Sequence, residues 1–210
     1  MSTIKFIIII ILLIIIIITS YFLIKIFKNT VKYNDIILIK NIKTNQYLSW
    51  CTPPKKIDNI FSRRLGVINT PNINSHWKLQ NINKSSKHDL NVTDTITIFN
   101  VISNINIGSS GTWSSSVYNN DTVKCPNTNG PTFNIFLGGN DNNYNIISNN
   151  KGNVRYNKPI KFKNVKTGDF ITQCGTIQCK TNNINQVQLS TIDSTLYNNT
   201  SDWILIKYKH

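Results

Sequence analysis

The chain has no glutamate and only nine aspartates, against 23 lysines and arginines, and its formal net charge is +14. A paired-carboxylate acid–base site would have to come from those scattered aspartates, several of which neighbour turn residues where they serve the backbone. Histidines are equally scarce: His76, His88 and His210 are the only ones. No P-loop, G-x-S-x-G or H-E-x-x-H motif occurs. The one catalytic arrangement left is a dyad of Cys125 with a histidine, and nothing local marks Cys125 as an activated thiol. Four cysteines are too few for a disulfide scaffold of 210 residues, and nine glycines and six prolines too few for a collagen-like or low-complexity chain. Enzymatic activity is therefore not expected, nor is a cofactor. Cys174 and Cys179 lack a second Cys/His pair at finger spacing, so no metal site is expected either. A disulfide between those two cysteines and a pair of free thiols both stay open.

Long apolar runs are also absent, with one exception. Phe6 to Ile24 reads FIIIIILLIIIIITSYFLI, without a charge and bounded by Lys5 and Lys25. As a helix these residues would extend roughly 28 Å, about the thickness of the hydrocarbon part of a bilayer. Thr19 and Ser20 can return their hydroxyls to the preceding turn, and Tyr21 and Phe22 suit a membrane interface. The expectation is a transmembrane anchor over residues 1–28 and a polar joint at 29–34, with the bilayer as a partner through 6–24. A cleaved signal peptide is the rival, disfavoured because hydrophobicity continues past Ser20 and no A-x-A-like site follows. Lys25, Lys28 and Lys32 outnumber Lys5 and the α-amine, which biases the following domain towards the cytosol. The 33 asparagines, with abundant isoleucine and lysine, fit an A/T-rich genome such as that of a large DNA virus or a protist. A virion or internal membrane is the corresponding expectation.

The remaining residues, 35–210, show strand-like alternation and no sustained helical period. They also repeat. Ile37–Cys51, ILIKNIKTNQYLSWC, matches Ile160–Cys174, IKFKNVKTGDFITQC, at six of fifteen positions. In each copy two alternating strands flank a polar turn, Asn41–Asn45 or Asn164–Gly168, whose asparagine or glycine supplies a positive φ. A fainter copy runs from Ile96 through Asn100 to Gly108. Asn41, Asn100 and Asn164 are thus spaced by 59 and 64 residues. An aromatic-led strand follows each copy, at Trp77, Phe133 and Trp203, and these three are expected in the core. The units are expected at about 35–87, 88–142 and 143–210, and a hairpin over Tyr144–Tyr156 has no place in that scheme.

The pattern of strand, N-x-x-T-G turn, Y/F-L/I-S/T and W-x-L resembles units of the β-trefoil superfamily, as in ricin-type lectins, MIR domains and fascin-like proteins. The resemblance covers about 37–206 at the level of fold. It implies an all-β barrel of three four-strand units, and it brings glycan recognition forward as a function. One departure weakens the sugar inference: where ricin-type units place glutamine two residues before tryptophan, this chain has Ser75 and Ser201.

Two features are candidates for ligand contact. Lys55, Lys56, Arg63 and Arg64 crowd the segment after Cys51, stiffened by Pro53 and Pro54, where they can meet phosphate, sulfate or anionic lipid. Trp50 and Trp113 each follow a second strand and enter a polar loop, where an indole stacks on a sugar ring or is covered by the loop. The expected function is a membrane-anchored, non-catalytic module that recognises a glycan or another anionic surface, with a structural protein-interaction component of a viral or internal membrane as the alternative and a membrane-tethered enzyme built on Cys125 and a histidine behind both. Sequence-specific nucleic acid binding is not expected, because no motif for it accompanies the charge.

Overall fold

The computed structural model describes residues 3–51, 63–81, 88–113, 132–138, 140–178, 183–190 and 201–208. It divides into two compact units, Met1–Thr30 and Val31–His210.

The first unit is one helix, α1 (Thr3–Lys28). Its window Ile7–Ile24 is long and apolar enough to cross a membrane, and none of that window is buried. Thr19 donates its hydroxyl to the carbonyls of Ile15 and Ile16, one turn back.

The second unit is all-β and trefoil-like. Twelve strands fall into three sets of four: β1 (Ile37–Asn41), β2 (Tyr47–Cys51), β3 (Arg63–Ile68), β4 (Trp77–Asn81); β5 (Thr95–Asn100), β6 (Ile105–Trp113), β7 (Thr132–Leu137), β8 (Tyr144–Ile147); β9 (Lys161–Asn164), β10 (Phe170–Gln178), β11 (Asn183–Ser190) and β12 (Trp203–Lys207). The first and last strands of each set form a ring. β1 pairs β4, β4 pairs β5, β5 pairs β8, β8 pairs β9, and β12 returns to β1. The bridge between Ile160 and Trp203 closes the circle. The inner two strands of each set make the hairpins β2–β3, β6–β7 and β10–β11. Those hairpins pair with one another through β3–β7, β7–β11 and β11–β3, capping one end of the barrel. Closure removes most free strand edges, which protects a chain this rich in isoleucine from edge-to-edge association.

The three asparagines seen in the repeat are fully or almost fully buried, and each holds the turn that follows. Asn41 Oδ1 accepts from the amides of Lys43 and Thr44, Asn100 Oδ1 from Ile102 and Ser103, and Asn164 Oδ1 from Lys166 and Thr167. The positive φ falls four residues on in every copy, at Asn45 (62°), Asn104 (56°) and Gly168 (76°).

A third layer of the repeat lies ten residues ahead of these asparagines. Val31 donates its amide to Val154 (2.9 Å), Leu90 to Val31 (2.8 Å) and Val154 to Leu90 (2.7 Å). This cyclic triad shuts the barrel at the end away from the hairpins, with all three side chains buried. Residues 31–34, expected in the joint, therefore belong to the domain: Val31 and Tyr33 are core, and Asn34 donates its amide to Leu79.

The aromatic layer corrects one expectation. Trp77 and Trp203 are fully buried, as expected, and their indoles donate to the carbonyls of Leu48 and Ile171 at 2.9 Å each. Phe133 is not their counterpart. It lies on β7, the third strand of its unit, and its side chain lies outside what the structure describes. The fourth strand is β8, led by fully buried Tyr144, so the unplaced hairpin begins with the last strand of the second unit. Phe133-Asn-Ile135 and Tyr144-Asn-Ile146 carry the same aromatic-x-aliphatic pattern, and alternation alone cannot rank two such strands. The boundary between the second and third units correspondingly moves past Ile147, from the expected 142.

Candidate functional site

β2 and β3 form the hairpin that carries most of the sequence-derived candidates. Along β2 the alternation turns Leu48 inward, and Trp50, two residues on, follows it to the same face. Trp50 is partly buried against the core and its Nε1 donates to Asn100 Oδ1 at 3.2 Å, tying the first unit to the second. Both tryptophans expected in loops sit instead on strands, Trp50 within β2 and Trp113 as the last residue of β6.

Lys55 and Lys56 lie outside the described residues. Arg63 and Arg64 open β3, where their backbones face Leu137 and Phe136 of β7, while Trp113 faces Phe133 on the other side of that same strand. The hairpin cap thus brings Arg64 and Trp113 within two strand spacings, about 10 Å, sideways and three residues, about 10 Å, lengthwise. Trp50 is one register step from Cys51, the partner of Arg64. Of the cysteines, Cys51 and Cys174 lie on cap strands, while Cys125 and Cys179 lie outside the described residues. His76 stacks against Tyr208, with ring centroids 4.1 Å apart, and His88 is exposed. No group of three or more metal-ligating side chains occurs among the described residues.

At the barrel end of the same hairpin is a feature that the sequence repeat does not signal. Thr44 donates its hydroxyl to Gln173 Oε1 (2.6 Å), Gln173 donates to Gln46 Oε1 (2.9 Å), and Gln46 donates to Asn69 Oδ1 (2.8 Å). The chain of hydroxyl and amides crosses from the first unit to β10 of the third, joining positions 129 and 127 residues apart. Tyr47, beside Gln46, is half-buried, and the Lys40 ammonium lies 5.3 Å from its ring centroid. Each amide offers both donors and acceptors, and Tyr47 offers a ring face with a polar tip. Nothing in residue spacing signals this cluster, because closure of the barrel is what joins its two halves.

The opposite end of the barrel holds two tyrosine–carboxylate pairs. Tyr33 donates its hydroxyl to Asp94, and Tyr156 donates to Asp35. Asp35 also meets the Lys207 ammonium at 3.6 Å, and Asn153 donates to Asp89 at 3.2 Å. Burial, reinforced by the bonded carboxylate, pushes the Tyr33 and Tyr156 phenols far above their ordinary pKa. Both therefore act as neutral donors. The pattern has a sequence signal that earlier spacing contained: VKYND at 31–35 and LNVTD at 90–94 each end in an aspartate that receives its own turn's amide, whereas VRYNK at 154–158 ends in lysine.

Comparison with known proteins places this geometry. No family model matches the sequence, and no curated protein matches it. Solved structures do share the fold. A Caenorhabditis elegans protein of unknown function superposes with a TM-score of 0.64 at 14% identity, over 85% of this chain and 97% of that one. The SDF2-like protein of Arabidopsis thaliana gives 0.62 at 10% identity, over 84% of this chain and 94% of that one. A chain of the Saccharomyces cerevisiae protein O-mannosyltransferase Pmt1–Pmt2 complex, solved bound to the sugar donor, gives 0.60 at 13% identity, over 86% of this chain but 28% of that one. At such identities the likeness establishes the fold and nothing finer.

Proposed function

We propose that the protein is a membrane-anchored, non-catalytic module that binds a glycan along the β2–β3 hairpin. The observation that carries this reading is the Thr44–Gln173–Gln46–Asn69 chain beside Tyr47. Sugars present neighbouring hydroxyls that donate and accept together, which amides answer in kind, and a weakly polar ring face that packs on an aromatic. Arg63 and Arg64 lie at the far end of the hairpin, about 13 Å along β2 and β3 from Tyr47. A glycan carrying carboxylate or sulfate groups at that end would gain charge-assisted bonds. The resemblance to a barrel in a complex solved with a sugar donor makes sugars the first ligand class to try.

Anchoring rests on α1. Its apolar side chains from Ile7 to Ile24 are uncovered, a hydrophobic surface that water does not tolerate on a stable protein. The modest bias of flanking lysines favours the cytosolic face for the barrel. Intact-mass measurement of the membrane-extracted protein tests retention of the helix against its removal as a signal sequence.

A glycan array probed with full-length protein in detergent tests the ligand. Gln46→Ala with Gln173→Ala should abolish the signal while thermal unfolding stays cooperative, and Arg63→Gln with Arg64→Gln should remove only the preference for acidic glycans. Absence of binding above background ends the proposal. A structural role in docking a protein is favoured by a different observation: Ile42, Ile102 and Val165, on the three equivalent turns, are 38%, 51% and 50% exposed. Cross-linking at those turns in the native membrane would support that reading instead.

A further inference from the structure

The three copies differ in charge at the end of the barrel closed by Val31, Leu90 and Val154. In the first and second copies the turn after the triad ends in Asp35 and Asp94, each partly buried and bonded to a tyrosine of a neighbouring copy. The third copy puts exposed Lys158 at that position. Exposed Arg155 and Lys151 accompany it, and no acidic residue occurs between Asp141 and Asp169. Exposed Lys32 neighbours this segment through the bond from Val31 to Val154 and the bridge from Lys32 to Asp89. The carboxylates at this end are half-buried and occupied by Tyr33, Tyr156, Asn153 and Lys207, whereas the cations face outward.

We propose that this end of the barrel is a docking surface for anionic lipid headgroups, with Lys32, Lys151, Arg155 and Lys158 as its contacting cations. The proposal rests on the reading of α1 as a membrane anchor. Two observations favour lipid over another polyanion. Only Asn29 and Thr30 separate Lys28, the last residue of α1, from Val31, and three residue steps extend at most about 11 Å. That covalent reach holds for any disposition of the two units, and it keeps the basic end near whatever surface the anchor enters. Among the described residues, the rings bonded to carboxylates at this end, Tyr33 and Tyr156, are 4% exposed and so offer bases no platform. Cations at an anionic membrane surface are each attracted over about a Debye length, so the contact is additive and salt-sensitive.

The test uses full-length protein reconstituted into vesicles of phosphatidylcholine alone and of phosphatidylcholine with phosphatidylserine. Amide hydrogen exchange at 151–158 and 88–92 should slow several-fold in the serine-lipid vesicles, return to the neutral-vesicle rate at high salt, and show no difference between vesicles in the triple variant Lys151→Gln, Arg155→Gln, Lys158→Gln. Unchanged exchange in β12 shows that the variant is folded, and Lys151→Arg with Lys158→Arg should restore the effect. Equal exchange in both vesicles overturns the docking surface while leaving the anchor intact. Failure of the protein to float with either vesicle overturns the anchor and the docking surface together. Protection by a DNA oligonucleotide without protection by serine-lipid vesicles overturns the lipid assignment in favour of nucleic acid.

Discussion

The first and third units seal their side of the core with a tryptophan, and the second with a tyrosine. Trp77 and Trp203 donate to Leu48 and Ile171, so each large ring is both buried and satisfied. Tyr144 is as deeply buried, yet its hydroxyl has no hydrogen-bond partner among the described residues. Burial pushes its phenol far above the ordinary pKa, so it stays neutral. The difference separates what the repeat requires from what it tolerates. All three sites hold a fully buried ring, and a close-packed interior leaves little room to lose that volume. The donor is secondary.

That contrast can be broken in order of expected effect. Trp77→Ala or Trp203→Ala should destabilise the domain by about 3–5 kcal/mol, since each removes a fully buried ring and leaves a cavity, and chemical denaturation would register the loss. An equal loss from Trp50→Ala would put its half-buried indole on the same footing as the other two. Next come Asn41→Ala and Asn164→Ala, at about 1–3 kcal/mol each, because two turn amides lose their buried acceptor. Tyr33→Phe and Tyr156→Phe should cost about 1–2 kcal/mol apiece through the bond to a carboxylate. These two tyrosines also set an alkaline limit. Their folded pKa lies above the unfolded value near 10, so their contribution is complete below about pH 10 and is lost as pH rises beyond it. Ultraviolet titration should show these phenols ionising only as the fold is lost. Tyr144→Phe belongs last. It removes an unsatisfied hydroxyl and keeps the ring, so stability should stay level or rise slightly, by less than about 1 kcal/mol. A marked loss there would show that the hydroxyl is satisfied by a group such as water.

Much of the fold was legible because the chain repeats itself. The N-x-x-T turns located Asn41 and Asn164, the fainter N-x-x-S turn located Asn100, and their spacing announced three copies. Legibility failed where copies diverge or where pattern is degenerate. Phe133 reads as the fourth-strand aromatic because its neighbours alternate as those of Tyr144 do. The closing triad was within reach, at a constant ten residues ahead of each asparagine, but valine and leucine carry no label of their own. Trp50 reads as a loop residue because β2 ends one residue later, at Cys51. The amide chain was out of reach altogether, since Gln46 and Gln173 become partners only when the third unit closes on the first.

The amino-acid order alone determined an uncovered apolar helix, a basic balance, and a thrice-repeated strand–turn–strand motif. Those depend on local composition and on short-range periodicity, which every residue expresses with its immediate neighbours. Tertiary closure decided the rest: which aromatic fills each third of the core, which carboxylates are consumed by tyrosines, and where hydroxyls, amides and cations from distant copies converge. Several of these pairings cross more than a hundred residues, and only the geometry of a closed barrel brings them within bonding distance.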